Sequence, residues 1–221
     1  MVKRQDKIDR KYIVLCEGID AVNFLIQYLN SDVLIADSRF NKDIQVLNFG
    51  GIRQLYRYIK NLKKMDNFMD VKRILVLRDA ETDINSAVDS VQSALRNNDL
   101  PVPDRCNQWK LGESLGTAFT LFPNCSGDMV EGTLEDLCWN ILADKRAAEY
   151  RIDVQAFIEE IDNKYDSIKT FKHKSRLHAY FSAKDDFVSL KIGEAAKAKA
   201  FDWAHERLRS LRNLIEEGFE G

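Results

Sequence analysis

Three short apolar runs, each followed by a turn and then by residues with helical spacing, constrain the fold of this 221-residue chain most strongly. The runs are too short for buried helices and are typical of interior strands of a parallel sheet. Three consecutive strand–helix units favour parallel strands joined by right-handed crossovers. The predicted strands span residues 12–15, 44–49 and 74–77, and the predicted helices span residues 20–30, 52–69 and 84–97.

The pattern changes after Pro101 and Pro103, which end the third helix. Two β-like runs follow and extend the sheet, and the rest of the chain has helical spacing. We therefore expect a Rossmann-like α/β domain over residues 1–145, with a mostly parallel sheet flanked by helices, and a helical carboxyl-terminal region over residues 146–221 packed on it. The β-like runs span residues 107–111 and 117–122, helices are predicted at 133–142, 154–165 and 171–183, and one or two helices are predicted over 192–218.

Composition and charge exclude several classes of protein. With 45% hydrophobic and 31% charged residues the chain is expected to be globular, and no apolar stretch approaches the roughly 20 residues that a membrane span requires. The charged amino end lacks the apolar middle of a secretory signal, so a cytoplasmic location is expected. A formal net charge of −2 argues against strong nonspecific binding of nucleic acid by the isolated chain.

The cysteines predict neither a zinc site nor a disulfide framework. They are scattered along the chain without a C-x-x-C pair, which is the spacing expected of a zinc ligand pair. We therefore expect all of them to be reduced. They are Cys16, Cys106, Cys125 and Cys138.

Acidic side chains follow two of the predicted strands. Glu17 and Asp20 flank Gly18 after the first strand, and Asp79 and Glu81 follow the third. In an open α/β sheet, ligands bind at the carboxyl ends of the strands. Carboxylates gathered there repel one another, and a bound hard cation such as Mg²⁺ is the usual way to keep them ionised. The plainer alternatives are a solvated turn for Glu17 and, for the turn from Asp79 to Asp83, capping of the following helix by Asp83, and Asp20 can likewise act as a helix cap.

A third acidic segment opens the helix predicted at residues 133–142. Thr133 and Asp136 have the spacing of a capping box, in which each residue accepts a hydrogen bond from the backbone of the other. Capping explains this part of the segment without any further function. Glu135 is left unexplained, and it is a candidate for an additional metal ligand.

The densest basic stretch lies within the helix predicted at residues 171–183. It contains Lys172, Lys174 and Arg176, interleaved with apolar residues. One interpretation is the solvated face of an amphipathic surface helix. The other is a phosphate clamp that faces the acidic edge, the predicted edge of the sheet that carries Glu17, Asp79 and Glu81. A cation there would offset negative charge on a phosphoryl group.

Taken in order, these segments resemble the Toprim domain. That domain occurs in topoisomerases, bacterial primases, small nucleases and the nuclease half of the OLD (overcoming lysogenization defect) family. The chain resembles more closely a stand-alone bacterial and archaeal Toprim-like family, and this resemblance covers nearly its whole length. The segments that carry it are residues 14–20, 49–51, 77–81, 132–137, 172–183 and 192–196.

The resemblance implies roles for individual residues. Glu17 would be the general acid or base, or a metal ligand, while Asp79 and Glu81 would bind Mg²⁺, for which Mn²⁺ can substitute. Glu135 and Lys174 match a further glutamate and lysine of OLD-type nucleases. Toprim domains most often have aspartate where this chain has Glu81. Because Mg²⁺ requires tight octahedral geometry, the longer side chain is expected to change its affinity or placement.

The leading hypothesis is a Mg²⁺-dependent enzyme that acts on a phosphodiester, as a nuclease on DNA or RNA. Gly18, Asp20, Lys172 and Arg176 are expected to contact its substrate. The alternative is a catalytically silent metal-binding module that regulates a partner protein, for instance in phage defence. The near-neutral charge and the substituted Glu81 favour this alternative. An ordinary P-loop ATPase is not expected, because the chain lacks a G-x-x-x-x-G-K-[ST] loop.

Overall fold

The computed structural model describes residues 7–35, 43–123, 131–168 and 172–219. A five-stranded sheet lies at its centre and consists of β1 (Tyr12–Glu17), β2 (Ile44–Gly50), β3 (Arg73–Asp79), β4 (Lys110–Leu111) and β5 (Gly116–Phe122). The strand order is β2-β1-β3-β5-β4. All neighbouring strands are parallel except the short edge strand β4, which pairs antiparallel with β5. The predicted α/β fold with a mostly parallel sheet is confirmed.

Helices flank the sheet on both faces. They are α1 (Gly18–Leu29), α2 (Asp32–Ile35), α3 (Leu55–Leu62), α4 (Ile84–Arg96), α5 (Leu134–Asn140), α6 (Ala147–Tyr165), α7 (Lys172–Ser182), α8 (Ile192–Lys197) and α9 (Arg209–Phe219). Short 3₁₀ turns add Ile52–Gln54, Phe68–Asp70 and Glu206–Leu208. No helix within the described ranges combines the length and the apolar character needed to cross a bilayer.

Side chains alternate between the two faces of the sheet, as the two-residue period of a strand requires. On the first face, Cys16 and Leu77 belong to a core that α1 and the carboxyl-terminal helices cover. The second face is covered by α3 and α4. Since Cys16 lies level with Leu77 in the β1–β3 pairing, the next residues, Glu17 and Arg78, are neighbours on the second face. Asp79 then falls on the first face.

A tight turn joins β1 to α1 at the carboxyl edge of the sheet. Gly18 has a φ of +82°, in the left-handed region that favours glycine. The side-chain oxygen of Asn48 accepts hydrogen bonds from the N–H of Gly18 (3.2 Å) and the N–H of Gly50 (2.8 Å). One side chain of β2 therefore holds the exits of two neighbouring strands in place.

The carboxyl-terminal helices complete the core on the first face. The ring of Phe24 on α1 lies 5.8 Å from that of Phe201 and 5.1 Å from that of Trp203, measured between centroids. Helix α8 packs against α1 so closely that a Cβ added to Gly193 would lie 2.3 Å from the Cβ of Asn23. The helical region beyond residue 145 thus shares its core with the sheet.

Some local predictions are wrong and others are confirmed. Helix α1 begins at Gly18, so Asp20 lies inside its first turn and does not cap it. The helix predicted over residues 52–69 is reduced to α3 between two 3₁₀ turns, and Asn67 adopts a left-handed φ of +67° that an α-helix cannot continue through. The capping box of Thr133 and Asp136 is present.

The cysteines differ in state. Cys16 and Cys138 are free and buried in the core of the first face. Cys106 is disulfide-bonded, so the expectation that it is reduced is wrong. The sequence carried no signal for this bond, because cysteine spacing alone does not determine pairing. Cys125 lies outside the described residues.

Candidate functional site

The carboxyl ends of two adjacent parallel strands bring acidic side chains to one edge of the sheet. Glu17 is the last residue of β1, and Asp79 is the last residue of β3. The Asp79 Oδ1 accepts a hydrogen bond of 2.8 Å from the N–H of Leu134, the first residue of α5. This N–H has no partner within its own helix, so the carboxylate satisfies it and ties β3 to α5.

The Asp79 carboxylate lies in unfavourable electrostatic surroundings. Burial raises the pKa of Asp79 well above its ordinary value, and the negative charges of Glu135, Glu17 and Glu81 raise it further. The hydrogen bond from Leu134 opposes these effects without cancelling them. The other three predicted metal ligands therefore lie within electrostatic range of Asp79, although the four come from three separate segments of the chain.

Glu81 occupies an exposed turn that is fastened to the segment before α5. Its backbone exchanges two hydrogen bonds with Gly132, of 2.8 Å from the Glu81 N–H and 2.7 Å from the Gly132 N–H. The φ of Glu81 is +57°, a left-handed conformation that costs free energy in a residue other than glycine, asparagine or aspartate. The turn thus holds the Glu81 backbone close to the start of the helix that carries Glu135.

Glu17 is paired with a buried arginine. Its Oε2 lies 3.7 Å from Nε of Arg78, and their side chains are 14% and 2% exposed. Burial raises the pKa of Glu17, whereas the charge of Arg78 and the backbone N–H groups of Asp79 and Ile52 act in the opposite direction. The Glu17 Oε2 is itself buried and accepts no hydrogen bond from the described residues.

Glu135 meets a lysine from the carboxyl-terminal region. Its Oε1 lies 3.3 Å from Nζ of Lys174 on α7, and the Glu135 side chain is only 10% exposed. The capping box of Thr133 and Asp136 fixes the start of α5, and so the position of Glu135 one residue into that helix. Two residues far apart in sequence that were assigned to the same site are therefore in contact.

Asp20, in the first turn of α1, lies within electrostatic range of Glu135. Burial raises the pKa of Asp20, and the charge of Glu135 raises it further, while Lys191, Lys174 and His178 lower it. This part of the edge therefore combines carboxylates with cations from α7 and from the residue that precedes α8. Lys191 and His178 were not assigned to the site from the sequence.

Lys172 and Arg176 point away from this group. Residues four apart share one face of a helix, whereas a residue midway between them lies on the opposite face, so Lys174 is turned away from both. Lys172 pairs with Asp162 of α6 at 2.5 Å, and Arg176 pairs with Asp136 at 2.5 Å. The structure thus brings together Lys174 and the acidic residues, but not these two cations.

The group of carboxylates suits a hard cation, although it is not preformed around one. Across the part of the chain that the structure describes, no three His, Cys, Asp or Glu side chains converge closely enough to hold a metal ion as they stand. The donors are all carboxylate oxygens, which Mg²⁺ prefers. The Oε2 of Glu17 at this edge accepts no hydrogen bond from the described residues, so it can take up either a proton or a cation. Binding would require side chains such as the exposed Glu81 to rotate.

Sequence reasoning missed two residues that organise this edge. Arg78 is buried beneath Glu17, and Asn48 holds the turns after β1 and β2. The signal for Arg78 was available in its position between the apolar run of β3 and Asp79, because a charged residue at the end of an interior strand requires a partner. Asn48 carried no such signal, since asparagine is common near strand ends.

The fold and this edge define an α/β protein with a cluster of carboxylates at the carboxyl ends of parallel strands. The chain belongs to the family described as a protein of unknown function, DUF3226, whose pattern matches residues 11–220. No curated protein and no solved structure matches the chain.

Proposed function

We propose that the acidic edge binds Mg²⁺ and that the protein is a Toprim-like enzyme that acts on phosphodiesters, as a nuclease on DNA or RNA. The observation that carries the proposal is geometric: Asp79 at the end of β3 shares the carboxyl edge of the sheet with Glu17 at the end of β1, and it lies within electrostatic range of Glu81 and Glu135. A divalent cation is the ligand that would stabilise such a group in its ionised form. The location of the group, at the carboxyl edge of a parallel sheet, is where ligands of such folds bind.

Each side chain at this edge has a proposed role. Asp79, Glu81 and Glu135 would hold the cation, and Glu17 would either join them or take the proton of an attacking water. When bound, Mg²⁺ stabilises negative charge on phosphoryl oxygens. Lys174, which is in contact with Glu135, would offset the charge that develops on the phosphoryl group.

Incubation of the purified protein with single- and double-stranded DNA and RNA, in the presence of Mg²⁺ or Mn²⁺, tests this proposal. We expect cleavage that depends on the cation and that Asp79→Ala abolishes. Asp89→Asn is a matched control, because Asp89 is an exposed acidic residue on α4. Cleavage that survives in Asp79→Ala, or the absence of cleavage of all four substrates, would contradict the proposal.

The second candidate is a regulatory module that binds the cation without turnover and acts through a partner protein, for instance in phage defence. The observation that favours it is the ion pair between Lys174 and Glu135, which neutralises one of the proposed ligands. Calorimetric titration with Mg²⁺ separates the candidates. Binding without cleavage selects the module, and no binding at all argues against both.

Partners and location belong to the same proposal. Nucleic acid is the expected partner of the enzyme, and another protein is the expected partner of the module. We propose a cytoplasmic location for either.

A further inference from the structure

Arg78 is a cation inside the protein. Among the described residues it is the only buried arginine or lysine, with 2% of its surface exposed. It lies on the second face of the sheet, where the surrounding side chains are those of the apolar core packed by α3 and α4. A charge in such a place is costly unless it is paired and hydrogen-bonded.

The guanidinium group is fixed from several directions. Its Nε donates a hydrogen bond of 3.1 Å to the carbonyl of Asp79, and its Nη1 donates one of 3.4 Å to the carbonyl of Ala87 on α4. The carboxylate in contact with it is that of Glu17, 3.7 Å away. The arginine is therefore anchored to β3 and α4, and Glu17 supplies its counter-charge.

The same geometry separates Glu17 from Asp79. Alternation along β1 and β3 places Glu17 and Arg78 on the second face, whereas Asp79 lies on the first face, where Leu134 of α5 donates to it. Glu135 and Lys174 belong with the Asp79 side. The acidic edge thus has two parts, one paired with a buried cation and one rich in negative charge.

We infer that Arg78 is a positioning residue that holds Glu17 out of the metal-ligand set, so that the cation is bound by the carboxylates on the Asp79 side and Glu17 remains free to act as a base. This inference rests on the proposed function and decides between the two roles left open for Glu17. Loss of Arg78 would release the Glu17 carboxylate and let it join the ligands.

Mn²⁺ binding followed by electron paramagnetic resonance tests the inference in four proteins: the wild type, Glu17→Gln, Arg78→Met and the double variant. We expect Glu17→Gln alone to change the dissociation constant for Mn²⁺ less than about twofold. Arg78→Met should tighten binding about tenfold, because one more carboxylate becomes available. Adding Glu17→Gln to Arg78→Met should return the affinity to near the wild-type value.

Two other results would overturn the inference. A tenfold loss of affinity in Glu17→Gln alone would make Glu17 a ligand in the wild type. Equal tightening in Arg78→Met and in the double variant would mean that Arg78 acts only through its charge and does not hold Glu17. A purely structural role for Arg78 would not make the effect of Glu17→Gln depend on Arg78.

Failure of the proposed function gives a different result. If the wild type binds no Mn²⁺, the metal site is wrong, and urea unfolding of the same four proteins then decides whether Arg78 holds Glu17. Each single variant should lose stability and the double variant should recover part of it, because removing one partner leaves a buried charge and removing both does not. Additive losses would refute the pairing as well. If Arg78→Met does not fold, Arg78→Gln, which also removes the charge, takes its place in both measurements.

Discussion

At the scale of single residues, Asp79 is a side chain whose burial conflicts with its charge. It is surrounded by other carboxylates, and the strongest compensating contact is one backbone N–H from Leu134. Active sites commonly retain such groups at the expense of stability, because the arrangement that binds a ligand is unfavourable without it. The cost should be measurable in the protein without metal.

We predict that Asp79→Asn raises the free energy of unfolding of the metal-free protein at pH 7, because a carboxylate that is shielded from solvent and surrounded by other negative charges is unfavourable in the folded chain. Asparagine keeps the oxygen that accepts from Leu134 but carries no charge. Urea unfolding in a chelating buffer gives the free energy of unfolding. Asp89→Asn, on the exposed side of α4, should leave it unchanged, and a loss of stability in Asp79→Asn would contradict the prediction.

The pH dependence of this effect has a definite sign. The pKa of Asp79 is higher in the folded than in the unfolded chain, so the folded protein holds the proton over the interval between the two values. Its free energy of unfolding therefore falls as pH rises through that interval. Asp79→Asn should remove this contribution, and Mg²⁺ should stabilise the wild type more than the variant at neutral pH.

At the scale of secondary-structure elements, α7 has two basic faces with different surroundings. Lys174 contacts Glu135 at the acidic edge, whereas Lys172 pairs with Asp162 of α6. The two lysines lie on the same helix, and their side chains are exposed to a similar extent. Their variants therefore form a matched pair. A comparison of the two separates an effect of position from a general loss of positive charge.

We predict that Lys174→Met tightens Mn²⁺ binding about two- to fivefold, the factor that corresponds to an exposed ion pair of up to about 1 kcal/mol. The physical reason is that Glu135 loses a competing cation. Lys172→Met should leave the affinity unchanged, because its partner lies on α6. If both variants tighten binding equally, the net charge of the protein and not the contact with Glu135 is responsible.

The strand–helix units could be predicted from the sequence because each strand is an apolar run of strand length that ends at a turn. The prediction that these strands are parallel also places Glu17 and Asp79 at one edge of the sheet, because parallel strands end on the same side. The partner of Arg78 could not be predicted in this way, because the pairing with Glu17 depends on the register between β1 and β3. The end of α3 at Leu62, followed by a turn in which Asn67 is left-handed, is likewise set by local backbone conformation that apolar spacing does not reveal.

At the scale of the whole molecule, the carboxyl-terminal helices are part of the core that supports the acidic edge. Helix α7 supplies Lys174, and α8 packs directly on α1, the helix that begins next to Glu17. Rings from both regions of the chain meet around Phe24. Loosening the contact between α1 and α8 should therefore weaken the whole protein and not only its last helices.

We predict that Gly193→Ala lowers the free energy of unfolding by about 1–3 kcal/mol, the usual cost of overpacking. The added Cβ would lie 2.3 Å from the Cβ of Asn23, so α8 must move away from α1. Gly51→Ala is the control, because nothing lies within 4 Å of its added Cβ. Thermal unfolding should remain a single transition, and a separate early transition in Gly193→Ala would show that the helical region unfolds independently.

Because side chains alternate between the two faces along β3, a shift of one residue within this strand would disrupt the acidic edge of the sheet. Deleting one residue from the apolar run would turn Arg78 toward the helices of the first face and Asp79 toward the core under α4. The cation would then lose Glu17, and the carboxylate would lose Leu134. Homologous chains that keep this chemistry should therefore tolerate substitutions within β3 far better than insertions or deletions.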